Sequence, residues 1–187
     1  MIIKNIVSGL HSLGDSQTKP TRVEEGSSPN TNDNVIRVAI GADHGGFEAK
    51  EMLKPFLENL GYRVADVGTF GKESVDYPDF AIKVAQKVVR GDCERGIMID
   101  GAGIGSSMVC NKIRGIRAAL CYDVKTAVNS REHNNANVLT LGGPLHTPDE
   151  LCEIVSIWLK TRFAGGRHWR RINKMMAVER DSLMDRS

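Results

Sequence analysis

The residues best suited to chemistry lie in one short stretch, GIMIDGAGIGSSMVCNK, over positions 96–112. An apolar run ends at Asp100, glycines follow at alternate positions, and SSMVCNKI can begin a helix. This order predicts a buried strand, a tight loop and a helix N-terminus. Glycines let backbone N–H groups approach a ligand, and a helix N-terminus adds partial positive charge. The stretch therefore predicts a loop that binds a phosphate or a reaction oxyanion, unless it is merely a tight turn.

Asp100 supports two interpretations. A carboxylate at the end of a buried strand, facing such a loop, is where an α/β enzyme holds a general base. The same side chain could instead cap the turn or the next helix. The glycine spacing matches no dinucleotide-binding fingerprint, and no Gly-Lys-Ser/Thr follows to make a P-loop.

Three further groups of polar residues stand near predicted ends of strands or helices. Asp43 and His44 follow the first apolar run and could contact a ligand or cap a helix. His133 belongs to a polar His-Asn-Asn cluster, where a ligand contact competes with a surface helix end. Arg167 and Arg171 stand four apart after a glycine pair, with His168 between them. Guanidinium groups match phosphate oxygens, so this cluster predicts a phosphate clamp, against the alternative of a solvated face.

Strand and helix patterns alternate from Val35 onward, which predicts a parallel α/β sheet with crossover helices. Ligands of such sheets bind at the carboxyl ends of the strands, where Asp43, His44 and Asp100 fall. The predicted strands lie in VIRVAIGADHGG, YRVADVG, GIMID, GIRAALCYD and VLTLGG. The predicted helices lie in FEAKEMLKPFLENLG, VDYPDFAIKVAQKVVRG, SSMVCNKI, VKTAVNSREHNNA, PDELCEIVSIWLKTRF and RHWRRINKMMAVERDSLMDRS.

The first 34 residues have a different pattern. Residues 1–14 place apolar side chains at helical spacing, which predicts an amphipathic docking or targeting helix. Residues 15–34 are almost wholly polar and predict a disordered linker. The alternative is a first helix that lies on its own domain, which the length of the linker disfavours.

Composition excludes several classes of protein. The chain of 187 residues is 41% hydrophobic and 26% charged, which suits one globular domain with a core over 35–187. A net charge of +2 and 5% aromatic residues argue against a nucleic-acid partner. The four cysteines show no metal-ligand spacing and predict reduced cytoplasmic thiols, and no apolar run is long enough for a membrane span.

Together these pieces resemble the B-type ribose-5-phosphate isomerase family, which includes the subunits of galactose-6-phosphate isomerase. The matching motifs run in order from Val35 to about Ile172: GADHGGFEAK, DVGTF, VDYPDFA, GAGIGSSMVCNKIRGIRAAL, SREHNNANVLTLGG and FAGGRHWRRI. The resemblance implies a Rossmann-like three-layer fold with a five-stranded parallel sheet and a C-terminal helix. It implies an aldose–ketose isomerase that uses no metal or other cofactor. It also implies a homodimer, or a dimer of dimers, with sites shared between subunits.

The resemblance assigns roles residue by residue. Asp100, His133 and Ser106 are the implied catalytic residues, and His133 helps to open the furanose ring. The implied contacts to the substrate are Asp43 and His44 for the sugar, Tyr77 for the pocket wall, Gly101, Gly103, Ile104 and Gly105 for the enediolate, Asn134 for hydroxyls, and Arg167 and Arg171 for phosphate, with Arg131 and His168 as helpers.

The base position departs from the family. Many members have a cysteine where this chain has Asp100, and a hydroxyl residue where it has Ala102; another branch has a glutamate at the position of Ser106. One subunit type of galactose-6-phosphate isomerase has an aspartate at this position and leaves the base to its partner, although it resembles this chain less at His44. The chain is therefore expected to isomerise ribose 5-phosphate with Asp100 as base, while Ser106, Ser107 or water moves the oxygen-bound proton. The alternatives are a galactose 6-phosphate or allose 6-phosphate isomerase, or a silent sugar-phosphate-binding subunit.

The N-terminal extension resembles the encapsulation peptides that carry enzymes into bacterial microcompartments. This resemblance implies a cytoplasmic enzyme, or one enclosed in a microcompartment, with a shell or cargo protein as partner of residues 1–14. A membrane-surface anchor and an organelle presequence are the competing interpretations.

Overall fold

Five apolar segments of the chain form one parallel β-sheet. The structure is a computed structural model that describes residues 35–184, so the predictions for residues 1–14 and 15–34 lie outside it. The strands are β1 (Arg37–Ala42), β2 (Arg63–Asp66), β3 (Arg95–Asp100), β4 (Ala118–Leu120) and β5 (Val138–Gly142). They lie in the order β2-β1-β3-β5-β4, and every pair is parallel. The predicted α/β architecture with a five-stranded parallel sheet is therefore confirmed.

Helices cover both faces of the sheet. Parallel neighbouring strands need a crossover that returns the chain to the starting edge, and helices form these crossovers. One face packs against α1 (Phe47–Asn59) and α5 (Pro148–Lys160), and the other against α2 (Tyr77–Val89) and α3 (Ile104–Cys110). Alternate residues of the central strands divide between two apolar cores, with Val38 and Ile40 in one and Ala39 in the other. The remaining helices are α4 (Val124–Glu132), α6 (Arg167–Met184) and a short 3₁₀ turn at Gly143–Leu145.

The edge strand β4 is shorter than its apolar pattern predicts. The segment GIRAALCYD gives only three strand residues, Ala118–Leu120, paired with β5 on one side. On the other side the Asn111 side chain accepts a hydrogen bond from the Ala118 N–H (2.8 Å) and donates one to its carbonyl (2.9 Å). The Asn111 amide occupies the free edge of β4, and no other strand of residues 35–184 pairs there.

Local sequence signals set the ends of several helices. Asp123 and Thr147 accept hydrogen bonds from backbone N–H groups in the first turns of α4 and α5, and both form capping boxes. Gly61 follows α1 with a φ of +87°, a conformation that glycine adopts without strain. These helices run antiparallel to the strands, so α1, α2 and α3 begin at the carboxyl edge of the sheet and α4 ends at its amino edge.

Helix α6 lies beside the amino edge. Gly115, just before β4, donates its N–H to Glu179 Oε1 (2.8 Å), and the Arg117 guanidinium reaches Met176 Sδ (3.9 Å). Among the helices described over 35–184, none has the length and hydropathy that crossing a membrane requires.

Candidate active site

Two buried carboxylates stand side by side at the carboxyl edge. Asp43 follows β1 and Asp100 ends β3, and these strands are neighbours at the point where the strand order reverses. Asp43 donates its backbone N–H to the Ile99 carbonyl (3.1 Å). Asp43 and Asp100 are 7% and 5% exposed. Such a reversal point is where parallel α/β sheets bind ligands.

The Asp100 carboxylate accepts four hydrogen bonds from its own loop. One oxygen accepts the N–H groups of Ala102 (2.8 Å) and Gly103, and the other accepts both the N–H (3.2 Å) and the hydroxyl of Ser106. Four donors occupy the lone-pair positions of a carboxylate. Asp100 therefore organises the loop and the start of α3, which is the capping interpretation; whether it is also the base stays a prediction.

The same hydrogen bonds change which loop groups can bind an anion. The Gly103 N–H, predicted to contact the enediolate, is directed at Asp100 instead. Over residues 35–184, the N–H groups of Gly101, Ile104 and Gly105 have no protein acceptor. These three donors lie at the N-terminus of a helix, so an oxyanion can bind them.

The Asp43 carboxylate accepts fewer hydrogen bonds than the Asp100 carboxylate. Its Oδ1 accepts the Gly46 N–H at 3.0 Å. Burial raises the pKa of Asp43, the Gly46 hydrogen bond opposes this, and the negative charge of Asp100 raises it further. This group can therefore hold a proton at higher pH than an exposed aspartate.

The wall of the site comes from the start of α2 and from His44. An added Cβ on Gly105 would lie 2.6 Å from the Tyr77 ring, so this ring lies directly over the loop. His44 Nδ1 lies 3.3 Å from the Val75 nitrogen and 3.2 Å from its oxygen, in the segment before Tyr77. The predicted residues Asp43, His44, Tyr77, Asp100 and the 101–106 loop thus lie together.

A second cluster forms at the amino edge, around the end of α4. His133 ends this helix, and its ring stacks on His168 of α6 with centroids 4.4 Å apart and planes 7° apart. Burial, His133 and the nearby arginines lower the pKa of His168. Arg167 and Arg171 are exposed on the first turns of α6, and Asn134 is also exposed.

Arg131 does not join this cluster as predicted. Its side chain is 3% exposed and turns inward, where it donates to Asn135 Oδ1 (2.9 Å) and the Ala136 carbonyl. Its guanidinium also lies over the Trp158 ring, 5.6 Å from the centroid. These contacts hold the guanidinium in the interior of the single chain, and the expected role of Arg131 in binding phosphate stays a prediction.

One chain does not bring the two clusters together. Asp100 ends β3, whereas His133 and Asn134 lie just before the start of β5. The two edges are separated by the strand length, roughly 20 Å for the six residues of β3. A sugar phosphate therefore cannot contact both clusters of the same chain.

Two residues of the sites were not predicted from the sequence. Asn129 lies four positions before His133 and contacts its ring nitrogen at 2.9 Å; helical spacing was the signal. Tyr122 donates its hydroxyl to the Ala102 carbonyl at 3.3 Å, a contact that no sequence signal indicated. Within 35–184, no group of His, Cys, Asp and Glu side chains is arranged to hold a metal ion.

The fold and the carboxyl-edge site define a Rossmann-like α/β protein that can bind a small anionic ligand. The sequence pattern of the Ribose/Galactose Isomerase family matches residues 38–175. The chain belongs to this family.

Several members of the family have closely similar sequences and structures. Ribose-5-phosphate isomerase B of Escherichia coli is 39% identical over 143 residues, which cover 76% of this chain and 96% of that protein. A solved structure of the Clostridium thermocellum ribose-5-phosphate isomerase B matches with a TM-score of 0.78 and 48% identity, covering 79% of this chain and 99% of that one. A crystal structure of the Mycoplasma genitalium enzyme with bound ribulose 5-phosphate matches with a TM-score of 0.74 and 41% identity, covering 77% and 96%.

Proposed function

We propose that this chain interconverts ribose 5-phosphate and ribulose 5-phosphate through an enediolate. The observation that carries the proposal is the set of open N–H groups of Gly101, Ile104 and Gly105 beside two buried carboxylates. Proton abstraction next to a carbonyl needs both a base and donors for the oxyanion that forms. Relatives named as ribose-5-phosphate isomerases support this choice of substrate.

We propose that Asp100 is the base and that Ser106 moves between two partners. In the free protein the Ser106 hydroxyl donates to Asp100 Oδ2. A hydroxyl can rotate toward a sugar oxygen, which frees a lone pair on Oδ2 for the proton on C2 of the aldose. Asp100 then returns this proton to C1, while Ser106 carries the oxygen-bound proton from O2 to O1.

The direct test of the function is an isomerase assay of the purified chain. Ribose 5-phosphate, allose 6-phosphate and galactose 6-phosphate would be compared by kcat/KM. We expect ribose 5-phosphate to give the highest value. Higher turnover of a hexose phosphate would overturn the choice of substrate while leaving the isomerase chemistry intact.

One observation favours the alternative of a silent sugar-phosphate-binding subunit: the Asp100 carboxylate already has four donors. NMR exchange in D₂O separates the two functions, because an isomerase replaces the C2 proton of ribose 5-phosphate with deuterium. Binding without exchange would establish the silent subunit.

For the isomerase, Asp100→Asn should lower turnover by several orders of magnitude, and near-normal turnover would exclude Asp100 as base.

We propose that Arg167 and Arg171 bind the substrate phosphate. They are four residues apart on α6 and are exposed in the single chain. Replacing either with alanine should raise KM strongly, since a charged contact in a desolvated site contributes roughly 2–5 kcal/mol. Arg180→Ala on the same helix is the matched control. An unchanged KM in both variants would show that Arg167 and Arg171 lie on a solvated face and do not bind the phosphate.

We propose that two copies of the chain complete each site. The carboxyl-edge cluster of one copy would face His133, Asn134 and the arginines of the other, since one chain cannot bring them together. A symmetric dimer forms two such sites. A dimer of such dimers would contain the same sites, each formed by two chains.

We propose that residues 1–14 bind a microcompartment shell or cargo protein, with residues 15–34 as tether. The support is the apolar stripe of the sequence, which suits a groove in a partner. Residues 1–34 fused to a fluorescent protein should form puncta only when shell proteins are co-expressed. Diffuse fluorescence with shells present would exclude the proposal, and a chain starting at Val35 should keep its isomerase activity.

A further inference from the structure

The His133 ring is held on two sides by polar neighbours. Asn129 Nδ2 lies 2.9 Å from its Nδ1, and the face of the ring lies against His168 with centroids 4.4 Å apart. Asn129 and His133 are one helical turn apart on α4, so the backbone of a single helix sets their spacing. These contacts fix both the position and the plane of the ring.

The amide contact indicates which ring nitrogen carries the proton, because the Nδ2 group of Asn129 faces the ring. An amide NH₂ group only donates, so His133 Nδ1 accepts through its lone pair. In the neutral ring the proton must then be on Nε2. In the part of the chain that the structure describes, Nε2 has no protein partner. The open edge of the ring therefore presents an N–H donor.

We infer that Asn129 is a positioning residue that keeps His133 in the Nε2–H tautomer and so presents a hydrogen-bond donor to the sugar oxygen that gains negative charge as the furanose ring opens. The inference rests on the proposed isomerase function. A neutral imidazole N–H can polarise an oxygen without giving up its proton. As the C1–O4 bond breaks and the C1=O1 bond forms, the proton of the O1 hydroxyl passes through water to O4. The inference assigns a role to a residue that the proposed chemistry alone does not require.

The groups around His168 favour its neutral form. Burial, His133, Arg167 and Arg171 lower the pKa of His168, while Glu132 raises it. A lowered histidine pKa means that the ring stays uncharged at neutral pH, so His133 does not stack on a cation. The His168 ring thus holds the plane of His133 while Asn129 sets its tautomer.

The test reads the tautomer and the rate separately. Imidazole ¹H–¹⁵N correlation spectra of the full chain at pH about 8 report which nitrogen is protonated, and His133→Gln assigns the signals. We expect an unprotonated Nδ1 in the wild type. In Asn129→Asp the carboxylate only accepts, so the proton should move to Nδ1. Asn129→Leu should give a mixture of tautomers.

The rates should follow the tautomer. With ribose 5-phosphate, Asn129→Leu should lower kcat by about tenfold with little change in KM, the loss of about one hydrogen bond. Asn129→Asp should lower kcat further and move the acid limb of the pH–rate profile to higher pH. The exposed Asn59 on α1 provides the control Asn59→Leu, which should leave rate and spectrum unchanged.

Two results would overturn the inference: a protonated Nδ1 in the wild type, or an Asn129→Leu variant with wild-type kcat and pH profile. The spectrum of the wild type tests it even where a variant does not fold. A wild-type chain that isomerises no sugar phosphate but shows the Nε2–H tautomer would refute the proposed function and leave the assigned tautomer standing.

Discussion

The two carboxylates at the carboxyl edge show how neighbours give the same residue type different properties. Asp100 accepts hydrogen bonds from donors of its own loop, whereas the Asp43 carboxylate is buried and accepts from the backbone N–H groups of Gly46 and Gly45. Enclosure of a charge is costly, which explains the raised pKa of Asp43. Such a cost at a candidate ligand-binding position is characteristic of proteins in which stability is lower where function requires a buried charge.

Asp43→Asn should stabilise the chain, and increasingly so as pH rises. The folded pKa lies above the unfolded value near 3.8, so the unfolded chain ionises first. The wild type has its full stability from this group at pH values below the unfolded pKa, and loses it as pH rises through the folded pKa. Asparagine does not ionise, so Asp43→Asn avoids this loss while it keeps an acceptor for the Gly46 N–H. Urea unfolding at acidic and neutral pH measures the difference, with Asp181→Asn as exposed control. An Asp43→Asn variant that is equally destabilised at acidic and neutral pH would contradict the assignment of the raised Asp43 pKa to burial.

At the scale of elements, the loop after β3 is shaped by close approaches rather than by flexibility. Gly103 has a φ of +75°, and an added Cβ would lie 2.8 Å from the Leu141 backbone. At Gly105 a Cβ would meet the Tyr77 ring, whereas at Gly101 nothing lies within 4 Å. Two of the alternating glycines therefore permit close packing, whereas Gly101 has room for a side chain.

Alanine substitutions should separate these purposes. Gly103→Ala should lower the free energy of unfolding by at least 1–2 kcal/mol, roughly the cost of a left-handed conformation for a residue with a Cβ. Gly105→Ala should displace Tyr77 and lower turnover. Gly101→Ala is the matched control for folding and should keep wild-type stability. Thermal unfolding and kcat/KM give both readouts; equal stability of all three variants would refute this account of the loop.

At the scale of the whole molecule, the separation of the two clusters is the main consequence of the fold. A parallel sheet places the starts of α2 and α3 at one edge and the end of α4 at the other. No rearrangement of side chains spans that distance. The clusters can therefore cooperate only between molecules.

Mixing two variants that are impaired in different clusters should restore activity at substrate concentrations far below the KM of Arg171→Ala. Asp100→Asn damages one cluster and Arg171→Ala the other, so a mixed dimer has one site with both changes and one intact site. Random mixing should then restore about one quarter of wild-type activity. As control, Asp100→Asn mixed with Tyr77→Ala should gain no activity, because both changes lie in the same cluster and no mixed dimer has an intact site. Failure of the first pair to regain activity after subunit exchange would refute the shared site.

The sequence by itself determined the alternating elements, the parallel sheet, and the helix starts at Val124 and Pro148, because these depend on periodicity and on contacts within a few residues. It also placed Asp43 and Asp100 at strand ends. Only the tertiary structure decided that Asp100 accepts four hydrogen bonds, that Arg131 turns into the core, and that His133 stacks on His168. Residue types specify what a side chain can bond to, whereas its actual partner depends on which groups the folded chain brings within about 3 Å.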